Sequence, residues 1–165
     1  MINSTSFDWN AHLEACLKST EYCCLGTVDL QGTWSNPVYF SWDREKNLYF
    51  ISQPSSRHLQ NLVRDSRLSV AIYSTNQSTF GDVIGIQLEG HAEILAEAQD
   101  IERAYQSYYG RRYPETGISE DHSQKEYLDH PAWQFVRITP KQIFYFNTEI
   151  FGEARQEVPP HLWKT

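Results

Sequence analysis

The chain has 165 residues, of which 40% are hydrophobic and 14% aromatic, so it can bury the core of one domain but is short for two. Its formal net charge of −7 excludes the basic excess that binding along a nucleic acid or an anionic membrane surface requires. We therefore expect a single domain over residues 1–165, with no nucleic-acid partner and no membrane partner.

The N-terminal residues and the cysteines bear on the cellular compartment. Residues 1–10 lack the positive and apolar regions of a signal peptide, so we expect none. The three cysteines give an odd count, and Cys23 and Cys24 would point to opposite faces of a strand. We therefore expect no disulfide framework and no structural zinc site, and we expect the protein in a reducing cytoplasm.

The first half of the chain reads as a helix followed by short strands. Apolar residues on one face predict an amphipathic helix over residues 8–18. Residues rich in strand formers, separated by polar or glycine-containing turns, predict strands over residues 22–29, 35–43 and 48–52. Leucines at helical spacing then predict a helical segment within residues 55–65.

The second half contains further strands and a longer helix. Alternating patterns predict strands over 67–74, 83–95, 133–138 and 142–147, with Pro140 marking the turn between the last two. A helix is predicted over 96–110, with Gly110 at its end, and a polar loop over 111–130. Six or seven short strands with short connections predict an α+β domain of mostly antiparallel β structure, closed or partly closed into a barrel.

A candidate phosphate site follows the third predicted strand. Pro54 ends that strand, and Ser55 and Ser56 lie where a helix begins, with unpaired N–H groups and partial positive charge. Arg57 offers a planar fork for phosphate oxygens, and His58 offers a further donor. The same residues are also compatible with an ordinary helix cap followed by a solvated arginine.

Six short motifs occur in order along the chain. They are LGTVD at 25–29, PVYFSWD at 37–43, FIS at 50–52, SRH at 56–58, NLVRDSRLSV at 61–70 and LEGHAE at 88–93. This ordered set resembles the pyridoxamine 5′-phosphate oxidase-like family of flavin-binding proteins. The resemblance covers most of the chain through residue 95.

The resemblance implies an FMN-binding split β-barrel with flanking helices and a homodimer with flavin at its interface. It implies that Ser56, Arg57 and His58 hold the phosphate of FMN, assisted by Ser52. It places a further set of residues along the isoalloxazine ring and the ribityl chain, namely Ser35, Asn36, Pro37, Val38 and Ile51.

The chain also departs from the pattern of the oxidase of vitamin B6 metabolism, at Ser35, Phe40 and Gly85. We therefore expect a divergent member that does not take pyridoxamine phosphate as substrate. Three functions follow from the resemblance. They are an FMN-dependent oxidoreductase that passes electrons or hydride to an unknown small substrate, a non-catalytic flavin-binding or carrier module, and a haem-binding relative. The sequence does not identify the catalytic residues, and it predicts no metal site.

Overall fold

The computed structural model describes residues 7–75, 83–115, 124–128 and 132–163. Four α-helices occur in this part of the chain: α1 Trp9–Lys18, α2 Arg57–Arg64, α3 Ala98–Arg112 and α4 Thr148–Phe151. Eight strands accompany them: β1 Tyr22–Asp29, β2 Gly32–Tyr39, β3 Ser41–Trp42, β4 Leu48–Ser52, β5 Arg67–Tyr73, β6 Ile84–Ile94, β7 Gln134–Asn147 and β8 Gln156–Glu157.

All eight strands belong to one curled sheet. Its order is β2-β1-β5-β6-β7-β4-β3, and β8 pairs with β7 outside this path. Every pairing between the described strands is antiparallel. This confirms the predicted α+β fold of mostly antiparallel β structure.

Several elements form where the sequence predicts them. Strands β1 and β4 have the predicted bounds, and β1 alternates between buried and more exposed residues as a half-buried strand does. Helix α1 begins after Asp8, whose side chain accepts a 3.0 Å hydrogen bond from the backbone N–H of Ala11. Helix α3 continues past its predicted end, so Gly110 lies inside it.

The prediction for the second strand is wrong in its bounds. Strand β2 begins at Gly32 and ends at Tyr39, and Ser41–Trp42 forms the separate strand β3. Gly32 has φ = +127°, a conformation open to glycine, and this lets Gly32 pair directly with Asp29 across a tight turn. The strand consequently starts three residues before the predicted position.

The predicted turn at Pro140 is also wrong, because β7 runs through Pro140 without interruption. The register with β6 shifts here. Glu89 lies opposite Gln142 and Gly90 lies opposite Pro140, which leaves Lys141 as the extra residue of a β-bulge. A bulge tolerates a proline because it interrupts the ladder of hydrogen bonds that proline cannot complete. Gly90 makes the close approach feasible, since a Cβ there would lie 2.5 Å from the carbonyl oxygen of Thr139.

Two clusters of buried side chains lie on the two sides of the sheet. One packs α1 against the inner residues of the curled sheet, with Leu13, Leu25 and Ile72 almost fully buried. The other is rich in tyrosine and packs α3 against β4 and β7. Helix α2 contacts β1 and β2, which sets its N-terminus beside the turn between them. Within the described residues, no helix is long and apolar enough to cross a membrane.

Candidate functional site

Helix α2 starts where the sequence places the phosphate site. Ser56 is its N-cap residue, with extended backbone angles, and its side chain makes no capping hydrogen bond. Leu59 and Leu62 are buried and anchor the helix on the core. The amides of the first turn are therefore not capped by a side chain, and Arg57 and His58 project from that turn in different directions.

Three of the predicted residues form one hydrogen-bonded cluster. The Ser52 hydroxyl lies 2.7 Å from Nε2 of His58 and 2.9 Å from the Ser56 hydroxyl. The Ser56 hydroxyl lies 3.3 Å from the same Nε2. His58 is buried, and burial lowers its pKa below the usual 6.5, so the imidazole is neutral at pH 7. We call Ser52, Ser56 and His58 the hydroxyl–imidazole cluster.

Arg57 contacts a carboxylate from another part of the chain. Its Nε donates to Oδ2 of Asp29 at 2.9 Å, and its Nη2 donates to Oδ1 at 3.3 Å. The Asp29 side chain is 8% exposed and also accepts a 2.7 Å bond from the backbone N–H of Gln31. The hydrogen bonds from the Arg57 guanidinium are the main cause that holds the pKa of Asp29 below its usual range. The hydrogen bond from Gln31 lowers this pKa further.

Asn61 ties this ion pair to β1. With its amide oriented so that both ends are satisfied, it accepts from the Thr27 hydroxyl at 3.0 Å and donates to Asp29 Oδ2 at 3.1 Å. It also donates to the backbone oxygen of Arg57 at 3.0 Å. Asn61 is buried, so this network fixes the first turn of α2 against the end of β1.

Trp34 connects the ion pair to a groove on the outer face of the sheet. The Arg57 guanidinium carbon lies 4.6 Å from the centroid of the Trp34 ring. Trp34 also lines a groove of about 540 Å³, which we call the outer groove. The side chains that line this groove include Trp34, Ser35, Arg67, Glu89, His91 and Lys141.

The residues predicted to follow the flavin ring lie in different surroundings. Ser35 is exposed and lines the outer groove, and Pro37 is exposed one pleat further along β2. Val38 is buried in the core. Asn36 is half-buried and donates from Nδ2 to the backbone oxygen of Pro37 at 3.0 Å. Ile51 is half-buried against the tyrosine-rich cluster.

The structure thus divides the predicted site into two groups and adds residues to it. The structure brings Ser52, Ser56 and His58 together, whereas Arg57 pairs with Asp29 and stacks on Trp34. Asp29 is the last residue of the LGTVD motif, but nothing in the spacing identifies it as the partner of an arginine 28 residues later. Trp34 offered a signal, since a tryptophan on a strand next to predicted ligand-lining residues is a candidate for stacking.

The surroundings of Gly85 account for one departure from the vitamin B6 oxidase pattern. A Cβ at Gly85 would lie 2.4 Å from the ring of Phe146 and 2.7 Å from the carbonyl oxygen of Ile72. The Phe146 ring therefore covers the position where a side chain would stand. The nearby Gln87 accepts a 2.6 Å hydrogen bond from Arg155 through its side-chain oxygen.

A family model described as pyridoxamine 5′-phosphate oxidase matches residues 10–147 of the chain. The chain belongs to the pyridoxamine 5′-phosphate oxidase family. The match spans β1 through β7, so both the hydroxyl–imidazole cluster and the Arg57–Asp29 pair lie inside it. Among curated proteins, none matches the chain.

Solved structures share the fold of this family member at low sequence identity. A conserved hypothetical protein from Mycobacterium tuberculosis superposes with a TM-score of 0.70 at 18% identity, covering 93% of each chain. A haem binding protein from Mycobacterium smegmatis gives 0.68 at 17% identity, over 93% of this chain and 59% of the other. A haem storage protein from Vibrio cholerae gives 0.62 at 17% identity, over 84% and 94%.

These likenesses, together with the family match, confirm the predicted split β-barrel. They also show that proteins of this fold include ones named for haem.

Proposed function

We propose that this family member binds FMN and works as a flavin-dependent oxidoreductase. The observation that carries the proposal is the position of Trp34, whose ring stacks on Arg57 and lines the outer groove. A planar ligand in the groove would therefore lie one side chain away from the arginine at the start of α2. FMN has this combination of a flat ring and a terminal phosphate.

The residues present fit the phosphate and ring of FMN. Ser52 and Ser56 supply hydroxyls, the first turn of α2 supplies backbone N–H groups, and Arg57 retains the Nη1–Nη2 end of its guanidinium. Ser35 and the backbone of Pro37 and Val38 offer polar contacts along β2. When bound, FMN supplies hydride or electron transfer, and the protein supplies the pocket and its electrostatics.

The chain's own residues would bind and orient rather than exchange protons. Neutral His58 is tied to two serine hydroxyls, which holds its ring and the hydroxyls in a fixed arrangement. The network of Asn61, Asp29 and Thr27 keeps the first turn of α2 in place. This fits a reaction in which the cofactor carries the chemistry.

We also propose a homodimer in which the outer face of the sheet meets a second copy. Tyr22 is 57% exposed and Tyr73 is 51% exposed, and both line one depression on that face. Large exposed aromatic side chains are typical of protein interfaces. Light scattering should give twice the mass of the 19.3 kDa chain, and a monomer would contradict this proposal.

We propose a cytoplasmic location, because the cysteines are free thiols. Cys16, Cys23 and Cys24 are all free, and Cys16 and Cys23 are buried. Burial raises the pKa of both buried thiols to about 12, which keeps them protonated. Free thiols are typical of a reducing compartment.

Absorbance and reduction kinetics test the proposed activity. Protein saturated with FMN should show the flavin spectrum and lose it on mixing with NADH or NADPH in a stopped-flow instrument without oxygen. Binding without reduction by either nucleotide would favour the non-catalytic carrier. Failure to bind FMN would reject both.

Haem binding is the second candidate, and His91 is the observation that favours it. This exposed imidazole lines the outer groove and would hold haem through its iron. Titration with hemin should then give a Soret band that shifts in His91→Ala. The matched control is His161→Ala, which changes an exposed histidine at the C-terminal 3₁₀ turn. Equal spectra for both variants would reject this role of His91.

A further inference from the structure

The charge at the start of α2 differs from that of a simple phosphate site. Arg57 is the cation proposed to meet the phosphate at the start of α2, and it already forms a two-point ion pair with Asp29. The neighbouring hydroxyl–imidazole cluster contributes donors without charge. A phosphate approaching Arg57 therefore meets a cation whose charge a carboxylate offsets.

The Asp29 carboxylate is anchored and would not leave when an anion arrives. It accepts from the backbone N–H of Gln31 at 2.7 Å and from Asn61 at 3.1 Å, in addition to its two bonds from Arg57. Because these donors come from the β1–β2 turn and from α2, the carboxylate is part of the joint between the two elements. The Nε–Nη2 edge of Arg57 is consequently committed to Asp29, and the Nη1–Nη2 end remains for a ligand.

We propose that Asp29 is a specificity-determining residue, which weakens the preference of the site for a phosphorylated flavin over an unphosphorylated one. This inference rests on the proposed function, since it concerns the same flavin site. Two negative groups that share one guanidinium repel each other at short range, and this repulsion acts on FMN but not on riboflavin. The ratio of the two affinities therefore reports on Asp29 directly.

The test compares Asp29→Asn with wild type. Asparagine keeps the shape and one acceptor oxygen for Gln31 but removes the charge. We expect the ratio of riboflavin Kd to FMN Kd to rise about three- to tenfold, with riboflavin Kd unchanged. The matched control is Asp100→Asn, which removes an equal charge from an arginine pair on α3, outside the lining of the outer groove. Its ratio should stay at the wild-type value.

A ratio that stays constant or falls in Asp29→Asn would overturn the inference and leave the proposed flavin binding intact. A wild-type protein that binds neither flavin would reject the proposed function, and this inference with it.

A measurement on wild type covers the case in which the variant does not fold. If the Asp29 carboxylate offsets the charge of Arg57, salt has little net attraction to screen. The ratio of riboflavin Kd to FMN Kd should then not fall as the salt concentration rises from about 0.05 to 0.5 M. A fall of several-fold over that range would show an unshielded Arg57 and overturn the inference.

Discussion

Trp34 and Arg57 are stacked, with the guanidinium carbon 4.6 Å from the centroid of the indole ring. The contact joins β2 to the first residue of α2, because Trp34 lies in the strand and Arg57 begins the helix. A cation–π contact of this kind contributes about 0.5–2 kcal/mol. It places the arginine at the border of the outer groove, where ring and phosphate of a flavin would meet.

Trp34→Ala should weaken FMN binding about five- to tenfold, because it removes both the support of Arg57 and a wall of the groove. Quenching of flavin fluorescence during titration measures this. Leu30→Ala is the control, since Leu30 is fully exposed in the β1–β2 turn and should leave FMN affinity unchanged. Equal affinities for the two variants would show that Trp34 does not contact the ligand.

Ser52→Ala should lower the free energy of unfolding by about 1 kcal/mol, because it removes the 2.7 Å hydrogen bond to buried His58. Urea denaturation followed by circular dichroism gives this value. Ser55→Ala changes an exposed serine three residues away and should have no measurable effect. If both serines behave alike, the hydroxyl–imidazole cluster does not stabilise the fold.

Stability should fall on acidification below about pH 6.5 through His58. Burial lowers its folded-state pKa, so the unfolded chain takes up a proton at a pH where the folded chain does not. The free energy of unfolding therefore falls progressively from pH 6.5 down to the folded-state pKa of His58. Below that pKa, His58 causes no further loss of stability. Urea midpoints measured in steps between pH 8 and pH 5 follow the change.

Replacing His58 separates its contribution to the pH dependence of stability from that of the carboxylates. His58→Gln should flatten the pH dependence between pH 7 and 5.5, even if its stability at pH 8 is lower. His161→Gln, at an exposed histidine, should retain the wild-type profile. A wild-type slope in His58→Gln would assign the acid sensitivity to other groups.

Gly90→Ala should destabilise the protein by about 1–3 kcal/mol, because the new Cβ would press on the carbonyl of Thr139 in the bulge. Gly110→Ala is its matched counterpart. Apart from its chain neighbours and the nearby backbone of α3 itself, no heavy atom lies within 4 Å of a Cβ there. Because the residue is helical, stability should rise by about 0.5–1 kcal/mol. Thermal melts measure both variants. If Gly90→Ala and Gly110→Ala shifted the melting temperature in the same direction, the close packing proposed for the bulge at Gly90 would be wrong.

The sequence predicts the bounds of elements that depend on a local residue pattern. It does not predict features that depend on a contact with a distant part of the chain. The alternation in Tyr22–Asp29 and the apolar run in Leu48–Ser52 are sufficient to give both strands their observed bounds. Pro140 suggests a turn on local grounds, but the bulge opposite Gly90 admits it into β7. That bulge depends on a residue 50 positions earlier in the chain, which no local pattern reveals.

The candidate site shows the same division. Ser52, Ser56 and His58 lie within seven residues, so a strand end and a helix start bring them together. The partner of Arg57 could not be predicted, because Asp29 reaches it only after β1 and α2 pack. The solvated arginine of the alternative interpretation is replaced by one paired with a carboxylate and stacked on an indole.

The most direct test asks whether Arg57 recognises the phosphate of FMN. Arg57→Gln alone would leave the Asp29 carboxylate without its cation, so the comparison is made between Asp29→Asn and the double variant Asp29→Asn with Arg57→Gln. Calorimetric titration of each with FMN and with riboflavin gives the preference for phosphate. We predict that the double variant loses roughly tenfold or more of this preference while riboflavin affinity is retained. A wild-type protein that binds no flavin, or a double variant that keeps the preference for FMN, would contradict the account.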